Sequence, residues 1–140
     1  MSTIVTRAGK GSPLTHTEVD ANFTNLNTDK AGYITGEGGA VTQATSKSTG
    51  VTLSKKCGTI TMNNAALAAD TLVSFTLTNT TIAATDVIVL NHASAGTAGK
   101  YALNAAAGAG SAVITVTNIS AGSLSEAIVI RFAVIKAVTA

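Results

Sequence analysis

Charge is scarce in this chain: Asp, Glu, Lys and Arg together make up 11% of its 140 residues, where a soluble domain ordinarily has about 25%. A surface so poor in charge has to be built from Thr, Ser, Asn, Ala and Gly, which shed water cheaply. That suits an exterior covered by copies of itself or by a partner. Aromatic residues are thin as well, at 4% with no tryptophan. Sugar sites rely on exposed rings backed by Asp and Asn, and Tyr33 and Tyr101 are the only tyrosines to supply them. Cysteine occurs once, as Cys57, which excludes an intramolecular disulfide and fits folding in a reducing cytoplasm. Long apolar runs are missing too. The mean hydropathy is +0.38, but the greasiest stretch, residues 127–138, is broken by Arg131 and Lys136. A membrane helix needs about 18 uninterrupted apolar residues, so none is expected. The opening Met-Ser-Thr-Ile-Val-Thr-Arg lacks the apolar core of a secretory signal. Nine basic and seven acidic residues leave a net charge of +2 and a pI of about 8.9. The bases are scattered rather than striped among aromatics, which is not the footprint of a nucleic-acid binder.

What is present divides near residue 40. Residues 1–39 carry four acids and three bases, and residues 40–140 six bases and three acids. In the first part, Thr15-His16-Thr17-Glu18 fits a capping box, Leu14 and Val19 stand at the positions of a hydrophobic staple, and Pro13 blocks an earlier start. Val19, Phe23 and Leu26 then follow at i, i+4 and i+7. The pattern predicts one short helix over about residues 15–26 with a narrow apolar stripe. A helix this short is marginal alone, so its stripe needs a surface to dock on. Gly32, Gly36, Gly38 and Gly39 follow as a link, making residues 1–39 an arm.

Residues 40–140 have the two-residue period of strands. Val73, Phe75 and Leu77 alternate with Ser74, Thr76 and Thr78. Ile128, Ile130, Phe132 and Val134 line one face of the last strand, with Val129, Arg131, Ala133 and Ile135 on the other. Strands are predicted at 40–45, 50–54, 58–62, 71–78, 86–91, 99–105, 111–118 and 127–136. The Ala-rich stretch 102–109 reads as strand and loop because Gly108 and Gly110 argue against helix. Eight short strands in about a hundred residues predict a mainly β fold, an eight-stranded antiparallel sandwich, and eight is the jelly-roll number. The pattern alone does not separate a jelly roll from an immunoglobulin-like sandwich, though the missing tryptophan and second cysteine count against the latter.

Catalytic chemistry finds little to stand on. Asp86, His92 and Ser94 make up the inventory of a hydrolase triad, but neighbours along one strand do not converge on a point, and no nucleophile elbow is present. His16 stands at the first helical position, where solvation is the plain reading. The two histidines and single cysteine have no zinc spacing, and the acids form no calcium loop. The glycine clusters at 36–39 and 108–110 lack the lysine and strand-to-helix setting of a phosphate cradle. Lys55-Lys56 reads as a solvated turn. Asn22-Phe23-Thr24, Asn79-Thr80-Thr81 and Asn118-Ile119-Ser120 match the glycosylation pattern, which carries no meaning without export. Arg131, midway along an apolar strand, is the most pointed charge. It reads either as a snorkelling edge residue or as one half of an ion pair between subunits.

One segment has a wider resemblance. Residues 11–27, GSPLTHTEVDANFTNLN, resemble a stretch near the N-terminus of tailed-bacteriophage virion proteins, both tail-fibre and head proteins, with the pattern PLT-x-x-EVD-x-NF-x-NL. His16 replaces the aromatic residue often found there. The remainder, from Val41 through Gly58-Thr59-Ile60-Thr61-Met62-Asn63 to residues 125–136, SEAIVIRFAVIK, is similar in texture to small β-domains of phage head-decoration and appendage proteins. The resemblance implies a jelly-roll-like cement protein, made in the bacterial host cytoplasm and bound on the outer capsid surface across junctions between major capsid subunits. Its expected partners are the major capsid protein and itself, as homodimer or homotrimer. No nucleic acid, membrane, small-molecule substrate, cofactor or metal is expected, and no enzymatic activity. Val19, Phe23, Leu26 and Arg131 are the expected partner contacts. A tail-fibre module, tail adaptor or receptor-binding tip is the alternative.

Overall fold

Each of the eight predicted stretches overlaps a strand, with the third strand starting one residue earlier and the fifth and sixth each ending three residues later than predicted. The structure, a computed structural model, describes residues 4–28 and 36–137, with side chains to Asn25 in the first of these stretches. The chain divides into two compact units, Met1–Ile34 and Thr35–Ala140. In the second unit the strands are β1 (Ala40–Thr42), β2 (Val51–Thr52), β3 (Cys57–Thr61), β4 (Leu72–Thr78), β5 (Val87–Ser94), β6 (Tyr101–Gly108), β7 (Ser111–Asn118) and β8 (Val129–Ile135). The Ala-rich segment is strand, as its glycines indicated.

The strands form two four-stranded sheets, sheet I in the order β1-β3-β8-β5 and sheet II in the order β2-β4-β7-β6. The expected all-antiparallel pairing is corrected: β1 runs parallel to β3, and β2 parallel to β4. The reason is topological. From β1 to β6 the chain changes sheet at every step, so a strand that leaves a sheet and returns two strands later points the same way again. The β6–β7 hairpin reverses this phase. β7 and β8 therefore insert in the middle of their sheets, antiparallel to both neighbours. The two sheets make a sandwich, and a jelly-roll arrangement is not confirmed: each sheet carries one parallel edge pair, and β6 and β7 are the one pair of chain neighbours side by side among the described strands.

The alternating side chains meet between the sheets. Ile60, Ile130, Phe132 and Val134 from sheet I pack in one buried cluster with Phe75, Leu77, Ile114 and Val116 from sheet II. Each such side chain stabilises the fold by roughly 1.5–3 kcal/mol on burial. Gly58 is required on β3, because a Cβ there would come within 2.7 Å of the Gly39 carbonyl oxygen and 3.1 Å of the Phe132 ring.

Loops that arch between sheets leave backbone groups to be satisfied, and buried carboxamides do much of this work. Asn118 is fully buried (0% exposed). Its Nδ2 donates to the carbonyls of Leu67, Ala68 and Gly122 at 3.0, 3.0 and 2.8 Å, while its Oδ1 accepts from the amide and hydroxyl of Ser120. Asn79 repeats the device: Nδ2 donates to the Lys55 carbonyl, and Oδ1 accepts from the amide and hydroxyl of Thr81. Gln43 donates to the carbonyls of Lys47 and Thr49 and accepts from the Asn63 amide. Two of the three glycosylation patterns are thus turn anchors in which Asn receives two hydrogen bonds from the Ser or Thr two residues on.

The first unit holds a helix the sequence reading missed. α1 (Arg7–Lys10) is capped by Thr6, whose hydroxyl accepts from the Gly9 amide at 3.1 Å, and ends at Gly11 with φ of 72°. The expected helix is α2 (His16–Thr28). The correction to one helix is therefore two among the described residues.

Two substitutions test this account. Phe132→Asp places a charge in the centre of the core and is expected to abolish cooperative unfolding; native-like circular dichroism from a soluble variant would mean the faces of β8 are assigned the wrong way. Asn118→Asp keeps the shape but gives up donors to three carbonyls. It is expected to cost about 3 kcal/mol in denaturant unfolding at neutral pH, with part of the loss recovered in acid as the new carboxyl protonates.

Candidate functional site

Strand alternation decides which side chains the sandwich presents outward. On sheet II the outward positions run Leu72, Ser74, Thr76 and Thr78 on β4, opposite Thr117, Thr115, Val113 and Ser111 on β7 and then Ala102, Asn104, Ala106 and Gly108 on β6. No charge stands among them. The hydroxyls of Ser74 and Thr115 bond each other across the strands at 2.8 Å, so even this polarity is partly spent within the face. On sheet I the outward row through the centre is Thr59, Arg131 and Asn91. Beside it Val87 faces Ile135 and Val89 faces Ala133. Arg131 is exposed and is the one charge on either outer face of the described strands. The expectation that it lies on an edge strand is corrected: β8 is flanked by β3 and β5, and the edges of sheet I are β1 and β5.

The other expected contacts lie in the first unit. The capping box forms as read: the Thr15 hydroxyl accepts from the Glu18 amide at 3.2 Å, and the Glu18 carboxylate accepts from the Thr15 amide at 2.8 Å. Glu18 also pairs with Lys10 at 2.5 Å, and the Asn22 side chain bonds both the amide and the carbonyl of Val5 at 2.8 Å. These contacts fix the segment carrying α1 against α2 and leave Val19 and Phe23 of the stripe exposed. Val19 is 37% and Phe23 69% exposed; the side chain of Leu26 lies outside the described residues. Lys10 and the Thr15 groups hold the Glu18 carboxyl down at about 2.

Several ionisable groups of the second unit are engaged in local contacts. Lys47 is buried, with Nζ donating at 2.6 Å to the carbonyls of Asn63 and Glu126; burial pulls its pKa down, against the pull of the Glu126 charge. The Glu126 carboxylate accepts from the Thr97 hydroxyl and amide and from the Tyr101 hydroxyl. Those bonds lower the Glu126 pKa, while burial and Glu126 raise that of Tyr101. This cluster needs Gly96, at φ +67°, because a Cβ there would meet Ile128 at 2.5 Å. Asp86 accepts from the Ala83 amide and pairs with Lys136 at 2.5 Å, and both lower its pKa. His92 lies at the other end of β5, with Nε2 2.6 Å from the Ala95 carbonyl. Asp86 and Ser94 therefore flank opposite ends of one strand, and the triad inventory is not brought together. Among the described residues no group of three His, Cys, Asp or Glu is placed to hold a metal, and no helix is long and apolar enough to cross a membrane. Lys55 donates to the Gly36 carbonyl at 3.1 Å, as a turn residue does.

No protein-family model, curated protein or solved structure matches this chain.

The low Glu18 pKa sets a pH dependence for the first unit. A carboxyl whose folded pKa lies below its unfolded one contributes stability in full above the unfolded value, and loses it as pH falls through the folded value. Loosening of the α2 N-terminus is therefore expected between about pH 4.5 and about 2. The Glu18 side-chain NMR signal should titrate with a midpoint near 2, and a midpoint at the ordinary glutamate value would rule out the Lys10 and Thr15 contacts in solution.

Proposed function

We propose that the chain is a non-enzymatic structural protein of a tailed-phage virion, binding and stabilising the assembled capsid from its outer surface. The observation that carries the reading is the outward character of the sandwich: on both faces together, the described strands present Arg131 as their one charge. A freely soluble surface mixes charges at about 25–35%, whereas the cores of protein interfaces are depleted in charged residues. Faces of Thr, Ser, Ala and Val are cheap to desolvate and suit being covered. The segment at residues 11–27 supports the same direction through its resemblance to virion proteins. In this reading the exposed Phe23 and Val19 of α2 are a second attachment. Weak contacts at two places on each copy, repeated over many copies, add up through effective concentration rather than through any single strong bond. The sandwich needs no jelly-roll topology for this role, since sheet II presents an uncharged outer face and sheet I one whose single charge is Arg131.

The reading is tested by the copy number of the chain in purified particles of the phage that encodes it, measured by quantitative mass spectrometry against the major capsid protein. Hundreds of copies are expected. A few to a few tens would assign the chain to the tail or its fibres and overturn the capsid reading. Phe23→Ala is expected to fold normally, since the ring is 69% exposed, and to lower retention on the particle severalfold. Full retention would remove α2 from the attachment.

A further inference from the structure

Among the described residues, Arg131 has no partner on its own face. It stands third in the order β1-β3-β8-β5, between Thr59 and Asn91. The two ion pairs among the described residues are Lys10–Glu18 and Lys136–Asp86, and neither draws on it. Next to it the face is aliphatic: Val87, Val89 and Ile135 are 53%, 46% and 51% exposed, large values for side chains of this size lying together on one sheet. A cation at the centre and an apolar patch beside it make a surface with a definite complement.

The charges on the two outer faces narrow what that complement is. Two copies packed through this face about a two-fold axis would meet as identical patches. Each would carry an unpaired Arg131 toward the same dry region, with no carboxylate on either face to separate them. Packing this face on sheet II of a second copy fails in the same way, because the outward positions there hold no acid. A buried guanidinium without a counter-ion is strongly disfavoured, and one with a bidentate carboxylate is a preferred interface anchor.

We propose that the outer face of sheet I is a docking surface for a different protein, whose surface presents an Asp or Glu carboxylate set among small or aliphatic side chains. Arg131 receives the carboxylate, and Val87, Val89 and Ile135 receive the apolar surround. This rests on the capsid reading and names the chemistry of its partner. Because Arg131 sits on a strand paired on both sides, the anchor is held by the sheet itself and sets register as well as adding affinity.

The test uses particles of the encoding phage assembled without this chain, and full-length protein added back and measured by co-sedimentation. Wild-type protein is expected to rebind. Arg131→Gln should rebind more than about tenfold more weakly and Arg131→Glu more weakly still, the scale found for losing one partner of a desolvated charge pair. Both variants should keep the wild-type melting temperature, because the side chain is exposed. Equal rebinding of wild type and Arg131→Gln overturns the docking surface while leaving the capsid reading intact. Failure of wild type to bind the particles at all overturns the capsid reading, and this inference with it. Self-association of the free protein that disappears in Arg131→Gln would assign the face to a second copy and overturn the proposal.

Discussion

The crossing of the chain from sheet to sheet is the constraint on which the rest of the structure depends. Six of the seven connections between strands pass from one sheet to the other, the β6–β7 hairpin being the exception. Each crossing carries backbone amides and carbonyls over the ends of the core, where an unsatisfied group is expensive. Asn79, Asn118 and Gln43 meet this need because a carboxamide donates and accepts at once, so one side chain can organise a turn and tie it to a distant loop. Lys47 does the same with a cation, bridging the carbonyls of Asn63 and Glu126. No buried side-chain nitrogen or oxygen among the described residues is left without a partner. Low charge therefore does not mean few polar contacts; those contacts have moved to the ends of the sandwich, where they set the connectivity.

The same connectivity assigns the last two strands a special place. β1 to β6 lay out both sheets with a gap in each, and β7 and β8 fill the gaps. Phe132 and Ile130 on β8, with Ile114 and Val116 on β7, are therefore the centre of the core although they arrive last in the chain. Pairings of this kind join residues far apart in sequence and slow folding relative to local topologies. They also make the middle of each sheet its most rigid part, since β8 is hydrogen-bonded on both sides and its far end is clamped by Lys136 on Asp86 and on the Thr81 carbonyl.

What the sequence makes legible is the face of each strand. Val73, Phe75 and Leu77, and Ile128, Ile130, Phe132 and Val134, turn inward as their alternation requires, and the capping box of Thr15 and Glu18 forms atom for atom. Alternation carries no information about which strand lies beside which, so the parallel pairs and the interior position of β8 were not readable. Arg131 looked like an edge residue because a charge amid apolar residues suggests access to solvent, and a central strand gives that access through its outer face just as well. α1 was too short to show a period, though Thr6 and Gly11 mark its two ends. The pattern Asn-x-Ser/Thr at residues 79–81 and 118–120 was visible, but its meaning as a turn anchor depends on burial, which the pattern does not encode.

Charge use in the second unit explains why one arginine stands out. Of the three acids in residues 40–140, Asp86 is committed to Lys136 and the Ala83 amide, and Glu126 to Thr97 and Tyr101. Of the bases, Lys47 is buried against carbonyls and Lys55 is tied to Gly36. Clamps at the ends thus consume most of the anionic charge, and the outward faces inherit a slight positive bias concentrated at Arg131. On a surface with many competing charges one guanidinium would contribute little, screened by solvent and salt. On a face that is otherwise Thr, Asn, Ala and Val, it meets no competitor and loses its water when the face is covered. The scarcity of charge that first marks this sequence leaves Arg131 as the one charge on the outer faces of the described strands, and in the proposed docking it is the feature that would discriminate.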